Sequence, residues 1–377
     1  MINVLADRYL VELESLLPEG AELRTFDPAD GWPGGQLDVD ALLTRTVLQV
    51  DRPALQRFTS RLAFVGTASA GTDHVDLPAL RERGVAFADA GGSNARSVAE
   101  FVAASLIWWT EAHHRPLAGL TVGVVGAGHT GGATAELLAT CGAGEVRCYD
   151  PPRAARDSNF ESCVLEEVLG CEALTFHVPL TEGGTWPTRG WLDAETLGRF
   201  SGSLVINASR GGVVDEEALL RWGRGGPSRR FVIDTWEGEP AFSERTARTA
   251  FLATPHIAGY ARQAKLKASL MVVQDLCEHF GLTPPEVPAR GSKVRAAEVE
   301  GHPSSAGQVL RQVHPARRYE EKLLELAGLP DGEKGTAFNR LRATFPLRDE
   351  FSFLALPYEL LQAHHLLEKL GFHSAEA

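Results

Sequence analysis

The chain has few cysteines, and nothing in their spacing supports a covalent or metal-bound framework. Its 377 residues include five cysteines, an odd number with no C-x-x-C pair. Neither a set of disulfides nor a zinc site is indicated, and we expect no metal. Free thiols buried in a reducing compartment are the simpler interpretation.

The sequence also lacks an excess of positive charge and any long hydrophobic run. Lysine and arginine total 37 against 49 acidic residues, so the formal net charge is −12. Such a field disfavours nonspecific binding to nucleic acid or to an anionic membrane. No apolar run is long enough to cross a bilayer, and the chain opens on a strand-like segment rather than a signal segment. We therefore expect a cytoplasmic protein that acts on small molecules, without nucleic acid or membrane partners.

The pattern that is present is that of a globular α/β protein. Apolar residues make up 44% and charged residues 23%, and the length suggests two or three domains. Short apolar strands alternate with helical patterns, which indicates a parallel sheet. The predicted strands cover residues 2–5, 63–65, 85–87, 121–125, 145–149, 173–177, 203–207 and 231–234.

Residues 120–150 combine an apolar strand, a glycine turn, a helix and a second strand that ends in an acid. Gly126, Gly128 and Gly131 have the G-x-G-x-x-G spacing of dinucleotide-binding turns. The phosphates of a dinucleotide would bind at the start of the helix that begins near Thr130. Asp150 is placed to accept a ribose 2′-hydroxyl and would repel a 2′-phosphate, which favours NAD over NADP. Arg153 and Arg156 follow directly and leave NADP as an alternative.

The glycine turn lies in the middle of the chain, so its domain is predicted to be an insertion. Helices over 94–110 and 262–280 would bridge the domains, and a proline-rich linker follows at 281–290. We expect a substrate domain from 1–95 and 262–282, an NAD domain over 96–261, and a C-terminal domain over 290–377. The last is predicted to contain helices at 306–327 and 358–370 and a strand at 350–356. The apolar face of its final helix calls for a partner surface, within the chain or on a second subunit.

Three later strand ends carry residues suited to acid–base chemistry. Arg210 follows the strand at 203–207, and a guanidinium there can bind a carboxylate through two hydrogen bonds. Glu239 follows the next strand, at 231–234, and His256 lies in the later T-P-H-I-A-G-Y segment, which we take as the following strand end. Histidine exchanges protons near neutral pH, and an adjacent carboxylate would orient its ring. In order, these residues form a set suited to hydride transfer from a hydroxyl carbon.

The sequence resembles the D-2-hydroxyacid dehydrogenase family in four motifs and in their order along the chain. These motifs are G-A-G-H-T-G, N-A-S-R-G, D-T-W-E-G-E-P and T-P-H-I-A-G-Y. Four further segments narrow the resemblance to one branch of that family. They are residues 64–76, C-Y-D-P-P-R, L-R-A-T-F-P-L-R-D-E-F and L-L-E-K-L-G-F. They resemble a branch that oxidises a phosphorylated four-carbon 2-hydroxy acid in vitamin B6 synthesis. That branch implies a Rossmann-type NAD domain inserted in a flavodoxin-like α/β substrate domain. It also implies a small C-terminal α+β domain that forms a homodimer.

The resemblance implies roles for individual residues. Arg210 would bind the substrate carboxylate, Glu239 would support the histidine, and His256 would transfer the proton. NAD would contact the three turn glycines with Asp150 and a further group: His129, Thr130, Val178, Ala208, Ser209, Asp234 and Gly259. Substrate would contact Arg45, Thr46, Thr67, Tyr260 and the backbone near Ala70 and Gly71.

Three positions depart from the usual pattern of this branch. His129-Thr130 stands where Asn-Val is frequent, Val178 replaces a hydroxyl residue, and Ser209 replaces a cysteine. Contacts at His129-Thr130 and at Val178 would therefore be made by the main chain, and the small change at Ser209 leaves Arg210 in place. No group that the chemistry needs is removed.

Two alternatives to this function remain. One is another enzyme of the family, acting on phosphoglycerate, hydroxypyruvate or glyoxylate. The other is an NAD-sensing interaction protein like the corepressors built on the same fold. A further hypothesis is that Arg348 reaches the substrate phosphate of a partner subunit, because its F-P-L-R-D-E turn precedes an apolar strand.

Overall fold

A computed structural model describes residues 1–284 and 293–375. The strands are β1 (Ile2–Asp7), β2 (Ala21–Phe26), β3 (Ala41–Thr44), β4 (Phe64–Thr67), β5 (Ala86–Asp89), β6 (Thr121–Val125), β7 (Glu145–Tyr149), β8 (Ala173–Phe176), β9 (Leu204–Asn207), β10 (Arg230–Ile233), β11 (Leu252–Ala253), β12 (Arg295–Ala296), β13 (Leu354–Pro357) and β14 (His373–Ala375). The α-helices are α1 (Leu13–Leu16), α2 (Arg52–Leu55), α3 (Leu77–Glu82), α4 (Ala95–Ala112), α5 (His129–Cys141), α6 (Pro151–Ala154), α7 (Leu165–Leu169), α8 (Ala194–Arg199), α9 (Glu216–Gly223), α10 (Glu244–Thr249), α11 (Arg262–Phe280), α12 (Ala306–Val313), α13 (Ala316–Leu326), α14 (Asp331–Ala343), α15 (Tyr358–Ala363) and α16 (Leu366–Lys369). Short 3-10 helices cover Pro28–Asp30, Leu117–Gly119 and Phe351–Phe353.

The chain divides into two compact units. Unit 1 comprises Met1–Asn94 and Ala261–Lys293, and unit 2 comprises Ala95–Tyr260 and Val294–Ala377. The residues from Val294 onward cluster with the glycine-turn residues rather than apart from them. The division into three domains therefore stays a prediction.

Unit 1 is built on a parallel sheet in the order β2-β1-β3-β4-β5. That order is the flavodoxin-like arrangement, as predicted. Short strands such as Ala41–Thr44 are buried throughout, which fits a parallel sheet covered on both faces. Helix α11 packs on one face, where Val272 and Leu276 join the strands in an apolar core.

Unit 2 contains a six-stranded parallel sheet in the order β11-β10-β9-β8-β6-β7. The chain passes from β6 to β7 on one side and then to β8 on the other. The carboxyl end of β6 is therefore a topological switch point, where α/β folds bind their ligands. Residue 126, the first glycine of the turn, follows β6 directly. The predicted Rossmann-type fold is confirmed.

Helix α4 is buried around nearly its whole circumference, from Ser97 to Thr110. Its apolar side chains pack against α5 and against the C-terminal segment in one continuous core. The sequence pattern correctly predicts a helix buried between layers.

The C-terminal segment of unit 2 corrects several expectations. The pattern at 306–327 is two helices, α12 and α13, because Pro315 interrupts the first. The final helix is likewise two pieces, α15 and α16, with a break at His364 and His365. The predicted strand at 350–356 begins as a 3-10 turn, and only Leu354–Pro357 is β-structure. Helix α14 escapes prediction because Gly332 and Gly335 weaken its helical propensity.

The apolar face of the final helix is covered within the chain itself. Leu361, Leu367 and Leu370 are buried in the core of unit 2. The face therefore carries no argument for a second subunit.

Most of the predicted linker at 281–290 lies outside the described residues. Among the residues that are described, no helix is long and apolar enough to span a membrane.

Candidate active site

The glycine turn after β6 has the geometry that its spacing predicts. Gly126 has a φ of +86°, a backbone conformation that favours glycine. A Cβ on Gly131 would lie 1.8 Å from the carbonyl oxygen of Gly126, so only glycine lets α5 pack this closely on the turn. A Cβ on Gly128 would meet nothing within 4 Å, which leaves open space over the turn. This combination fits a backbone that a pyrophosphate approaches closely.

The N-terminus of α5 is suited to bind an anion. Gly128 is the N-cap residue, and it supplies no side-chain hydrogen bond to the first turn. The N–H groups of His129, Thr130 and Gly131 in the first turn have no acceptor within the helix, so they are available to a ligand. His129 is exposed and Thr130 half-buried. A dinucleotide phosphate would bind through these N–H groups and the helix dipole.

Asp150 follows the end of β7 and lies beside the glycine turn. The N–H of Ala127 in the glycine turn donates to Oδ2 (2.8 Å), and the N–H of Arg153 donates to Oδ1 (2.9 Å). The carboxylate thus links the glycine turn to the start of α6. Arg153 donates to the carbonyl of Ala127 (2.7 Å) and pairs with Asp157, which holds it beside the turn.

The turn that carries Arg210 is fixed by Asn207, the last residue of β9. Asn207 Oδ1 accepts from the hydroxyl of Ser209 (2.9 Å), and its Nδ2 donates to the carbonyl of Arg210 (3.1 Å). A Cβ on Gly211 would lie 1.8 Å from the carbonyl oxygen of Trp236. This close approach brings the arginine turn against the turn that leads to Glu239. Ser209 is buried and Ala208 half-buried, and contact of either with NAD stays a prediction.

Asp234 holds the segment that carries the histidine. Its carboxylate is 1% exposed and accepts from the hydroxyl of Thr254 (2.6 Å) and the N–H groups of Ile257 (2.8 Å) and Ala258 (3.0 Å). His256 itself has a φ of +56°, in the left-handed region. The bonds to Asp234 on both sides of His256 stabilise this uncommon conformation. Contact between Asp234 and NAD stays a prediction.

Glu239 and His256 form a hydrogen-bonded pair. Oε2 of Glu239 lies 2.8 Å from Nδ1 of His256, and Oε1 lies 3.0 Å from the same nitrogen. The N–H of Trp236 donates to Oε1 (3.0 Å) and fixes the carboxylate. Burial by itself would raise the pKa of Glu239, but the charges of His256 and Arg342 and the hydrogen bonds lower it. Because a carboxylate occupies Nδ1, Nε2 is the ring nitrogen that can exchange a proton with a ligand.

The predicted substrate residues of unit 1 follow the carboxyl ends of its strands. Arg45, after β3, makes a two-point ion pair with Asp7 at the end of β1, with Nε 2.7 Å from Oδ2 and Nη2 3.2 Å from Oδ1. Thr46 is exposed. The Thr67 hydroxyl is buried and bonds to Ser69 and His74, both at 2.9 Å. Substrate contacts by Arg45, Thr46, Thr67, Ala70 and Gly71 stay predictions.

The structure argues against the role suggested for Arg348. Its side chain is 4% exposed and pairs with Glu100 on α4, with Nη1 2.6 Å from Oε2. Nη2 donates to the carbonyl of Ser97 (3.0 Å). A guanidinium buried in these bonds does not extend toward a partner's substrate, so that hypothesis is wrong.

The glycine turn at a switch point, the acid at Asp150 and the Glu239–His256 pair define the class of NAD-dependent dehydrogenases. Comparison with known proteins supports the same class. Residues 95–258 match the family model "D-isomer specific 2-hydroxyacid dehydrogenase, NAD binding domain". The chain is 37% identical to an erythronate-4-phosphate dehydrogenase of Marinobacter nauticus, over 93% of each chain. It is 36% identical to that of Azotobacter vinelandii, over 98% of this chain and 99% of the relative. The chain belongs to the erythronate-4-phosphate dehydrogenase family, within the D-2-hydroxyacid dehydrogenases.

Solved structures agree on the fold. An NAD+-bound 3-phosphoglycerate dehydrogenase of Entamoeba histolytica aligns with a TM-score of 0.60 at 19% identity, over 74% of this chain and 95% of the other. The family model and the curated relatives confirm the predictions of an NAD cofactor and of an oxidoreductase acting on CH–OH.

Several residues that shape the site were not identified from the sequence. Gly211 brings two turns together, Asp7 orients Arg45, and Ser69 and His74 hold Thr67. Asp7 lies two residues after a predicted strand, and Gly211 is the last residue of the N-A-S-R-G motif. These positions are the signals that would have suggested their part in the site.

Proposed function

We propose that the protein oxidises 4-phospho-D-erythronate to 2-oxo-3-hydroxy-4-phosphobutanoate in the synthesis of pyridoxal 5′-phosphate. The observation that carries this proposal is the Glu239–His256 hydrogen bond, 2.8 Å long, at the strand ends of a chain from this family. A carboxylate–imidazole pair is the group needed to remove a proton from a hydroxyl near neutral pH.

In this mechanism, the glycine turn and Asp150 would hold NAD, which would supply the acceptor for the hydride of C2. Arg210 binds the substrate carboxylate through two N–H groups, and the bonds from Asn207 keep its turn in place. His256 takes the C2 hydroxyl proton on Nε2, and Glu239 stabilises the imidazolium that results. Holding the carboxylate and the hydroxyl at two fixed points orients C2 for the transfer.

The finer assignments belong to this proposal. Substrate would also contact Tyr260 and the predicted residues of unit 1, Arg45, Thr46, Thr67, Ala70 and Gly71. NAD would contact Val178, Ala208, Ser209, Asp234 and Gly259 besides the glycine turn. The protein would act in the cytoplasm as a homodimer assembled through its C-terminal segment.

The experiment that tests this function is a spectrophotometric assay of NADH formation. 4-Phosphoerythronate should reduce NAD, whereas 3-phosphoglycerate should do so far more slowly. In the reverse direction, hydroxypyruvate and glyoxylate should be poor oxidants of NADH. A robust signal with 3-phosphoglycerate and none with 4-phosphoerythronate would overturn the choice of substrate. No turnover with any of them, together with NADH binding, would favour an NAD-sensing protein.

Glu239→Gln tests the acid–base pair. The amide can still accept from Trp236 and His256, but the charge is lost, so kcat should fall by about tenfold to a hundredfold. Glu237→Gln is the matched control, because this neighbour is exposed and its change should leave kcat unaltered. Equal kcat for both variants would show that the carboxylate of Glu239 has no part in the reaction.

A further inference from the structure

Strand β11, which leads to His256, lies at the edge of the sheet in unit 2. In the part of the chain that the structure describes, β11 pairs only with β10. Backbone groups at the open side of an edge strand need other partners, and two side chains of α13 supply them. Nη1 of Arg317 donates to the carbonyl of Phe251 (2.6 Å). The N–H of Ala253 donates to Oε1 of Glu320 (3.1 Å).

The two side chains of α13 hold each other in place. Nη1 of Arg317 lies 2.8 Å from Oε2 of Glu320, and their side chains are 24% and 14% exposed. The Cζ of Arg317 lies 4.7 Å from the centroid of the Phe251 ring and 5.7 Å from that of Trp108. Hydrogen bonds made by charged groups are stronger than those between neutral groups. This largely buried pair therefore fixes the position of β11.

Helix α13 also supports the residue that follows His256. Tyr319, the neighbour of Glu320, is 1% exposed and forms a buried cluster with Ile257 and Phe345. The ring of Phe345 lies 4.4 Å from that of Tyr319. Adjacent residues of one helix thus support the chain before His256 and directly after it. The sequence suggested no link between these segments.

The segment between the two supports is short. Only two residues lie between Ala253 and His256, so a shift of β11 reaches the histidine directly. The ring must meet Glu239, whose Oε2 lies 2.8 Å from Nδ1, and it must also meet the substrate hydroxyl. A displacement of about 1 Å at such a group can lower a rate about a hundredfold. The position of β11 therefore matters for the proton transfer.

We propose that Glu320 and Tyr319 are positioning residues for His256, since they hold the histidine segment from its two sides. The proposal rests on the function proposed above for the Glu239–His256 pair. It assigns the C-terminal segment a part in catalysis, through contacts within one chain.

Variants of Glu320 test the support before the histidine. Glu320→Met removes the acceptor for the Ala253 N–H. We expect kcat to fall by about tenfold rather than a hundredfold, because the bonds from Asp234 to the same segment remain. Glu320→Gln retains a carbonyl oxygen for that N–H and should keep most of the wild-type kcat. Glu321→Met is the matched control, because Glu321 is the next residue of the helix and is exposed.

NADH affinity separates a local effect from a general one. The glycine turn follows β6, and three strands separate β6 from β11 in the sheet. Glu320→Met should therefore lower kcat and leave the Kd for NADH unchanged. A loss of kcat in Glu320→Gln as large as in Glu320→Met would overturn the role of Glu320.

Variants of Tyr319 test the support after the histidine. Tyr319→Leu removes the ring from the cluster with Ile257, whereas Tyr319→Phe keeps the ring and removes only the hydroxyl. We expect kcat to fall in Tyr319→Leu and to stay near the wild-type value in Tyr319→Phe. If Glu320→Met does not fold, this pair of variants tests the same proposal.

A double-variant cycle shows whether the effect acts through the histidine. In a His256→Asn background, Glu320→Met should cause no further loss of the residual kcat, because the group that it positions is already absent. A loss as large as that in the wild-type background would overturn the proposal.

A last measurement does not depend on turnover. With 13C-labelled histidine, the His256 ring signal in the NMR spectrum is identified by its absence in His256→Asn. The chemical shift of this signal should change in Glu320→Met and Tyr319→Leu and stay in place in Glu321→Met. An unchanged signal in both of the first two variants, or an equal change in the control, would overturn the proposal. If the wild-type protein does not oxidise 4-phosphoerythronate while the signal still moves, the proposed function fails and the positioning of His256 by α13 stands.

Discussion

The buried ion pair between Arg348 and Glu100 predicts a large loss of stability when one partner is removed. Glu100 lies in the middle of α4 and is fully buried, and Arg348 is 4% exposed. In Arg348→Met the side chain still fills the space, but Glu100 loses its 2.6 Å partner. The carbonyls of Ser97 and Asp349 lose their donor as well.

The size of the effect follows from what remains around Glu100. Breaking a buried ion pair from one side typically costs about 3–5 kcal/mol, because a charge is left uncompensated. Here Oε1 of Glu100 still accepts from Arg96 Nε and from the N–H of Phe351, both at 2.9 Å. We therefore expect the lower end, about 3 kcal/mol.

Urea denaturation with the linear extrapolation measures this free energy of unfolding. Arg248→Met is the control, because the Arg248–Glu244 pair is exposed and should contribute less than about 1 kcal/mol. In the double variant Glu100→Gln with Arg348→Met, part of the stability should return, since no buried charge is left unpaired. A cost for Arg348→Met no larger than that of Arg248→Met would show that the buried pair does not stabilise the fold. The KM for 4-phosphoerythronate should not change, because the Arg348 guanidinium is buried and bonded to Glu100, Ser97 and Asp349.

Two further predictions concern the glycine turn and the C-terminal segment. Gly131→Ala places a Cβ 1.8 Å from the Gly126 oxygen, so NADH affinity should fall at least about tenfold in a fluorescence titration. Gly132→Ala, with 3.7 Å to its nearest neighbour, should bind normally, and equal affinities would contradict this account. Burial, and to a smaller extent the charge of Glu100, raise the pKa of Glu350 above its usual value of 4.5. The carboxyl group therefore binds a proton more tightly in the folded state than in the unfolded state. Stability should therefore fall as pH rises from about 4.5 through the raised pKa, and the advantage of Glu350→Gln should grow over that window in urea titrations. An advantage that does not depend on pH would contradict the assignment.

Much of the fold could be predicted from the sequence, because its signals are local. The strands Thr121–Val125 and Glu145–Tyr149 and the helix Arg262–Phe280 have the predicted bounds. Each shows an apolar period or a continuous apolar run between clear boundary residues. Edge strand Ala21–Phe26 escaped prediction, since its mixed side chains carry neither signal. Helix α14 escaped because Gly332 and Gly335 weaken its helical propensity.

In the candidate site, too, some features follow from local sequence signals and others depend on tertiary packing. The glycine turn follows from backbone constraints that act within a few residues, and the strand-end positions of Arg210, Glu239 and His256 follow from the rules of parallel sheets. Those rules place residues at one edge of a sheet but do not bring two side chains into contact. The bond between Glu239 and His256 depends on how two turns pack, and so does the approach of Gly211 to Trp236.

The class of fold, the cofactor turn and the residues available for the chemistry can therefore be read from the sequence alone. What covers the final helix and where Arg348 lies depend on the folded structure. An apolar periodicity indicates that a face is buried, but it does not distinguish the chain's own core from a partner. Likewise, a charged residue shows its role only when its neighbours are known, because burial and pairing determine whether it binds a ligand or holds the fold together.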